Sequence, residues 1–282
     1  MNKKEKIFSN SIKAILYLCA GLTFALLIGI IFYVCVRGIP YLKPSMFSLK
    51  YTTENQSMLP SIINTLLMIV ITLLISVPIG VFSAVYMVEY ANKGNKFIKI
   101  VRLATETLQG IPSIVYGLFG YIFFNIGFRA LGIKFSLGYS IMSGALTMAI
   151  MVLPLIIRAT EEALLAVDNS YREASYGLGA RKLRTVFNVV LPPAANGIFS
   201  GIILAIGRVF GETAALIFTS GSVSELAGLL NSGSTLAIHM YMLFGEGIHI
   251  NESFATAVVL LVFVLIINTF STILSNKLGG KA

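Results

Sequence analysis

Long stretches without charge alternate with short charged islands along this chain. Positions 14–36 hold no Asp, Glu, Lys or Arg, and neither do 62–88, 135–157 and 254–275. A further stretch at about 105–128 is interrupted only by Glu106, and one from Pro193 to Ser220 only by Arg208 and Glu212. At about 1.5 Å of rise per residue, some twenty such residues in a helix cross the hydrocarbon core of a bilayer. The pattern predicts an all-α membrane protein with six transmembrane helices, the second kinked at Pro78. Residues 1–60 read as an N-terminal segment, the first helix and an outer loop. Residues 61–282 form a five-helix domain with a charged loop at about 158–192. Lys3, Lys4 and Lys6 give the first helix a basic start like a signal peptide's. Its apolar run is too long for one and no Ala-x-Ala site closes it, so an uncleaved helix is expected.

Composition agrees. Of 282 residues, 56% are hydrophobic and 12% charged, and mean hydropathy is +0.86. A soluble domain carries about a quarter charged residues. The net charge of +9 would suggest nucleic acid for a soluble protein. Here no aromatic and basic residues interleave, and basic loops facing an anionic leaflet account for it. Placing both termini in the cytoplasm puts Lys3, Lys4, Lys6, Lys13, Lys93, Lys96, Lys99, Arg102, Arg158, Arg172, Arg181, Lys182, Arg184, Lys277 and Lys281 inside. Only Arg37, Lys43, Lys50, Arg129 and Lys134 fall outside, a bias of about threefold. Cys19 and Cys35 both lie inside the first apolar run as small fillers, with neither disulfide nor metal spacing. His239 and His249 occupy the acidic outer segment 221–252 and lack further ligands. Within that segment "STLAIHMYML" is apolar enough for a short helix on, or dipping into, the outer surface.

The island "YREASYGLGARKLRTVFNVVLPP" (171–193) interrupts the apolar pattern. Ser170 and Glu173 have capping-box spacing, Asp168 and Asn169 also suit a helix start, and Gly179 suits a left-handed helix end. A basic amphipathic stretch follows, and Pro192 and Pro193 stop it or begin the fifth span. Local physics leaves two readings open. The helix lies on lipid headgroups, or it docks on a partner that its small residues and glycines let approach closely.

"EASYGLGARKLRTVFNVVLP" resembles the E-A-A-x3-G-x9-I-x-L-P signature of ABC importer permeases. Glu173, Ala174 and Ser175 stand for E-A-A, Gly179 for the glycine, and Val189, Leu191 and Pro192 for I-x-L-P. Ser and Val are the departures. "QGIPSIVYGLFGY" (109–121), "LPLIIRATEEAL" (153–164) and "GRVFGETAALIFTSG" (207–221) resemble the phosphate-importer permeases, and "GETAALIFT" their PstA-type form. The resemblance implies a type I, MetI-like fold. It implies a coupling helix using Glu173, Ala174, Ser175, Tyr176 and Gly179 against an ATP-binding subunit. It further implies two such subunits, a homologous PstC-type permease, an external phosphate-binding protein and a setting in the bacterial cell membrane.

Arg208 and Glu212 lie deep in the fifth apolar stretch, where each charge costs at least about 2.5–3.5 kcal/mol. Four apart on a helix, they share a face, and Gly207 and Gly211 beside them would admit another helix. Either the two pair to hold helices together, or Arg208 offers its planar fork to a passing oxyanion while Glu212 orients it. The resemblance favours the second. Arg158 is either a positive-inside anchor or a guide for anion exit. Glu106 snorkels or pairs with a neighbour such as Arg102.

No Gly-x4-Gly-Lys-Ser/Thr loop is present, and no nucleophile–His–carboxylate set is credible. The expected role is a phosphate permease subunit without catalysis or cofactor. The rivals are a same-fold permease for molybdate or sulfate, a secondary transporter using Glu212 and Glu106 as proton sites, and a membrane scaffold.

Overall fold

The computed structural model describes residues 3–92, 94–127, 132 and 136–279. Lys93, Arg129, Lys134 and Lys281, counted above for orientation, lie outside them. The described chain is helical, with no strand. Helix α1 (Lys3–Gly38) leads through two short 3₁₀ turns to α2 (Leu59–Val85), which continues as a wider turn to Tyr90. Helices α3 (Lys96–Gln109), α4 (Ser113–Gly120), α5 (Ile141–Leu165) and α6 (Asn169–Gly177) follow, with a wide turn over Tyr121–Gly127 after α4. Then come α7 (Lys182–Thr185), α8 (Leu191–Phe210), α9 (Ala214–Thr219), α10 (Leu236–Glu246) and α11 (Ile250–Gly279). Five helices among the described residues are long and apolar enough to cross a membrane, or six if the bent pair α3–α4 counts as one.

That bent pair corrects the continuous span expected at 105–128. The axes of α3 and α4 differ by 106°. Pro112 has no N–H to donate and bars helical geometry from the residue before it, so the helix ends in Gly110–Ile111. The bend is stitched: Tyr116 donates its hydroxyl to the Leu108 carbonyl at 2.7 Å, and the Gln109 amide donates to the Pro154 carbonyl at 3.1 Å. Helix α3 is thus an amphipathic segment, exposing Phe97, Ile100 and Leu103 on one side. Two reciprocal ion pairs hold it to α5, Arg102–Glu161 at 2.6 Å and Arg158–Glu106 at 3.2 Å.

The centre is α5, packed between α2 and α8. Helix α2 buries the small residues Thr72, Ser76, Gly80 and Ala84 at spacings of four, and Thr72 donates to the Ala145 carbonyl of α5 at 3.3 Å. A Cβ at Gly80 would stand 2.7 Å from Ile156 Cγ2, so the two backbones approach as closely as small residues allow. On the other side, Gly197 and Gly201 of α8 face Ala163 and Ala159 of α5. Gly207 and Gly211 play no such part, since no other helix comes within 4 Å of a Cβ built at either.

The polar residues of α2 have a second use. The Asn64 amide donates to the Glu225 carbonyl at 2.9 Å and accepts from Ala227 N–H at 3.1 Å. Thr65 accepts from Leu236 N–H at 2.9 Å, and the Ser61 and Ser234 hydroxyls pair at 2.8 Å. These bonds pin the segment preceding α10 into the protein, and α10 follows it inward.

His239 is therefore buried in α10, with the Ser224 hydroxyl 3.3 Å from Nδ1 and the Tyr51 ring edge-on at 6.0 Å. Burial pushes its imidazole from 6.5 down to about 4, so the folded protein keeps it neutral. The unfolded chain takes up a proton below about pH 6.5, so this contribution to stability is full above that pH and is lost as pH falls toward 4. Between pH 7.5 and 5 the loss is about 2 kcal/mol. Thermal unfolding in detergent should show His239→Gln losing less stability over that interval than the parent chain; equal losses would contradict the assignment.

Candidate functional site

Two features carry chemistry: the island between α5 and α8, and the break between α8 and α9. In the island, Asp168 rather than Ser170 starts α6. Its carboxylate accepts from Ser170 N–H at 2.8 Å, a bond that holds its pKa below the usual range. The expected Ser170–Glu173 capping box does not form, because the acid two residues upstream of Ser170 already fills the N-cap role. At the other end Gly179 has φ of +81°. Gly179 N–H reaches the Tyr176 carbonyl at 2.9 Å and Ala180 N–H the Ser175 carbonyl at 3.1 Å. This is a Schellman turn, which needs a residue free to be left-handed at Gly179.

The turn leaves an apolar surface in the open. Leu178 is 89% exposed, and Tyr171 and Tyr176 are also exposed. Leu178 and Tyr171 border a hollow of about 490 Å³ that Ala174, Ser175, Gly179 and Arg184 help line. Ser175, the departure from Ala in the resemblance, is buried, and its hydroxyl pairs with that of Thr185 at 2.8 Å. Glu173 is exposed. The site residues Glu173, Ala174, Ser175, Tyr176 and Gly179 thus gather on one short helix and its turn.

The amphipathic stretch after the island does not stop at Pro192 and Pro193. Helix α7, a wide turn over Val186–Val190 and α8 form one span from Lys182 to Phe210. A proline ring collides with the carbonyl four residues back. Here Leu191 N–H bonds the Val186 carbonyl, five back, and the wider turn carries the chain into the prolines. The fifth span therefore begins about ten residues earlier than the sequence pattern suggested.

At its far end that span breaks. Helix α8 ends at Phe210 and α9 starts at Ala214, so Arg208 and Glu212 do not share a helix face. Glu212 instead turns its carboxylate onto Ala215 N–H at 3.1 Å, capping α9. Among the described residues Arg208 has no ion pair, whereas Arg102 and Arg172 each have one and Arg158 has two. The neighbouring Gly207 faces open space. Arg208 is a half-buried guanidinium beside a gap in the helix, with no carboxylate of the described chain to neutralise it.

Arg158 is engaged twice, with Glu162 at 2.6 Å and with Glu106 at 3.2 Å. Glu106 thus pairs with Arg158 rather than Arg102. Nothing in the sequence pattern singles out Glu89, which bounds the second apolar stretch. Its carboxylate is buried and paired with Arg172 of α6 at 2.8 Å.

Comparison with known proteins gives this geometry a context. The family of binding-protein-dependent transport system inner membrane components matches residues 76–280. A probable ABC transporter permease protein of Bacillus subtilis (strain 168), YqgI, is 33% identical over 290 residues, covering 94% of each chain. The phosphate transport system permease protein PstA of Pasteurella multocida (strain Pm70) is 32% identical over 249 residues, covering 86% of each. Among solved structures, a bacterial ABC transporter involved in the import of the acidic polysaccharide alginate contains a chain of the same fold. It has a TM-score of 0.71 and 14% identity, with 97% of this chain and 98% of that one covered.

Proposed function

Since the chain belongs to the family of binding-protein-dependent transport system inner membrane components, we propose that it is one permease subunit of an ATP-driven importer of inorganic phosphate. It works in a bacterial plasma membrane with both termini inside. A homologous PstC-type permease completes the pathway, two ATP-binding subunits sit below, and an external phosphate-binding protein delivers the anion. Helix α6 docks on an ATP-binding subunit, and Arg208 contacts phosphate on its way through.

The observation that carries this reading is the unneutralised guanidinium at the α8–α9 break. A planar fork of N–H donors matches two oxygens of a phosphate. Glu212, occupied with α9, limits the positive field without occupying Arg208. The name of the Pasteurella relative supports the choice of anion. Arg158, held by Glu106 and Glu162, is assigned to keeping α3 on α5 rather than to anion exit. A proton-coupled route would use Glu106 and Glu212, yet each is already engaged within the chain.

Reconstitution tests the proposal. Proteoliposomes containing this chain, a PstC-type permease and the ATP-binding subunits should accumulate radiolabelled phosphate when ATP and the binding protein are supplied. Excess molybdate or sulfate should not compete. Accumulation without ATP under a pH gradient, or uptake blocked by sulfate, would refute it.

A further inference from the structure

Arg172 is the fourth residue after the Asp168 cap of α6, yet its side chain leaves that helix. Nε and Nη2 both donate to Glu89 Oε1, at 3.0 and 2.8 Å. Nη2 also donates to the Leu164 carbonyl at 2.9 Å. Nη1 donates to the Val167 carbonyl at 2.7 Å and to Asn169 Oδ1 at 3.3 Å. These five bonds match the five donors of a guanidinium. The side chains of Arg172 and Glu89 are only 13% and 5% exposed. Leu164 lies in the last turn of α5, where the helix dipole is negative, and Val167 in the link just beyond it. One cation thus joins three elements: α6 by its own backbone, α5 by the Leu164 carbonyl, and the wide turn that ends α2 through Glu89.

On its other side α6 packs against α7 and the wide turn that follows, where the Ser175 and Thr185 hydroxyls pair at 2.8 Å. Between α5 and α6 the chain has only Ala166, Val167 and Asp168, a link that would bend if nothing spanned it. Arg172 spans it. A buried charge pair that loses one member leaves the other unpaired, so the arrangement resists partial opening.

We infer that Arg172 is the positioning residue through which a displacement of α6 is passed to α2 and α5 together, and that Glu89 is its anchor. The inference rests on α6 being the docking helix. With the latch intact, a push on α6 moves the inner ends of α2 and α5 as one body. Without it, α6 tilts on its three-residue link and the push is dissipated.

The test compares Arg172→Gln, Glu89→Gln and the double variant in the assembled importer, as phosphate taken up per ATP hydrolysed. Each single variant should lower that ratio about tenfold, and the double variant should be no worse than either one. ATP hydrolysis should change far less than uptake, which a general loss of folding would not produce. An unchanged ratio in Glu89→Gln, the milder change, overturns the inference whether or not Arg172→Gln assembles. Losses that multiply in the double variant overturn it too. Cross-linking Tyr176→Cys to an ATP-binding subunit separates the two levels. A cross-link with an unchanged ratio sinks the latch alone, and no cross-link in the otherwise unaltered chain sinks the docking reading and the latch with it.

Discussion

Replacing Arg208 with Gln should cut phosphate uptake by the assembled importer at least a hundredfold, with membrane insertion and subunit assembly preserved. A charge-assisted hydrogen bond is worth about 1.5–3 kcal/mol, and a bidentate contact supplies two. Each 1.4 kcal/mol is about tenfold, so losing the fork removes roughly two decades or more. Assembly should survive because Arg208 makes no ion pair within the described chain, so no buried carboxylate is left orphaned. Arg208→Lys separates charge from shape. It keeps the cation and loses the planar pair of donors, and uptake should fall about tenfold. The readouts are initial rates of radiolabelled phosphate uptake and recovery of the intact complex. Normal uptake by Arg208→Gln in a normally assembled complex would remove Arg208 from the pathway.

The sequence pattern exposed what depends on long, uniform stretches. Spans two, four and six follow from charge-free runs, because a bilayer tolerates few charges whatever the neighbours. It failed where one short local signal outweighs the average. The apolar run at 105–128 hides a bend set by Gly110 and Pro112. The run from Pro193 hides a helix that starts at Lys182, since a wide turn carries the chain through two prolines. Gly211 and Thr213 around Glu212 were a readable stop and start, but the apolar background made Arg208 and Glu212 look like one helical face. In the island the left-handed end at Gly179 was legible because it is local, while the Ser170–Glu173 box was misplaced because Asp168 takes the cap. Glu89 was not legible, because its partner lies 83 residues away, and no periodicity reports a tertiary ion pair.

The second large effect is expected at the Schellman turn. Leu178→Asp should prevent the ATP-binding subunit from co-purifying with this chain, while the permease still inserts. Within the chain Leu178 is 89% exposed, so its removal costs the folded subunit almost nothing. If a partner covers it, burial of a leucine contributes about 1.5–3 kcal/mol to association. An aspartate in the same pocket adds the cost of desolvating an unpaired charge. Together these correspond to a hundredfold or greater loss of affinity. Glu173→Lys provides the electrostatic counterpart. It reverses an exposed charge on the same helix without touching the internal bonds of Arg172 or Ser175, and should weaken docking through whatever cation the partner offers. If α6 rested on lipid headgroups instead, the outcomes would part company. Glu173→Lys would then strengthen the contact with anionic lipid, Leu178→Asp would leave the ATP-binding subunit bound, and co-purification from the same membranes would show it directly.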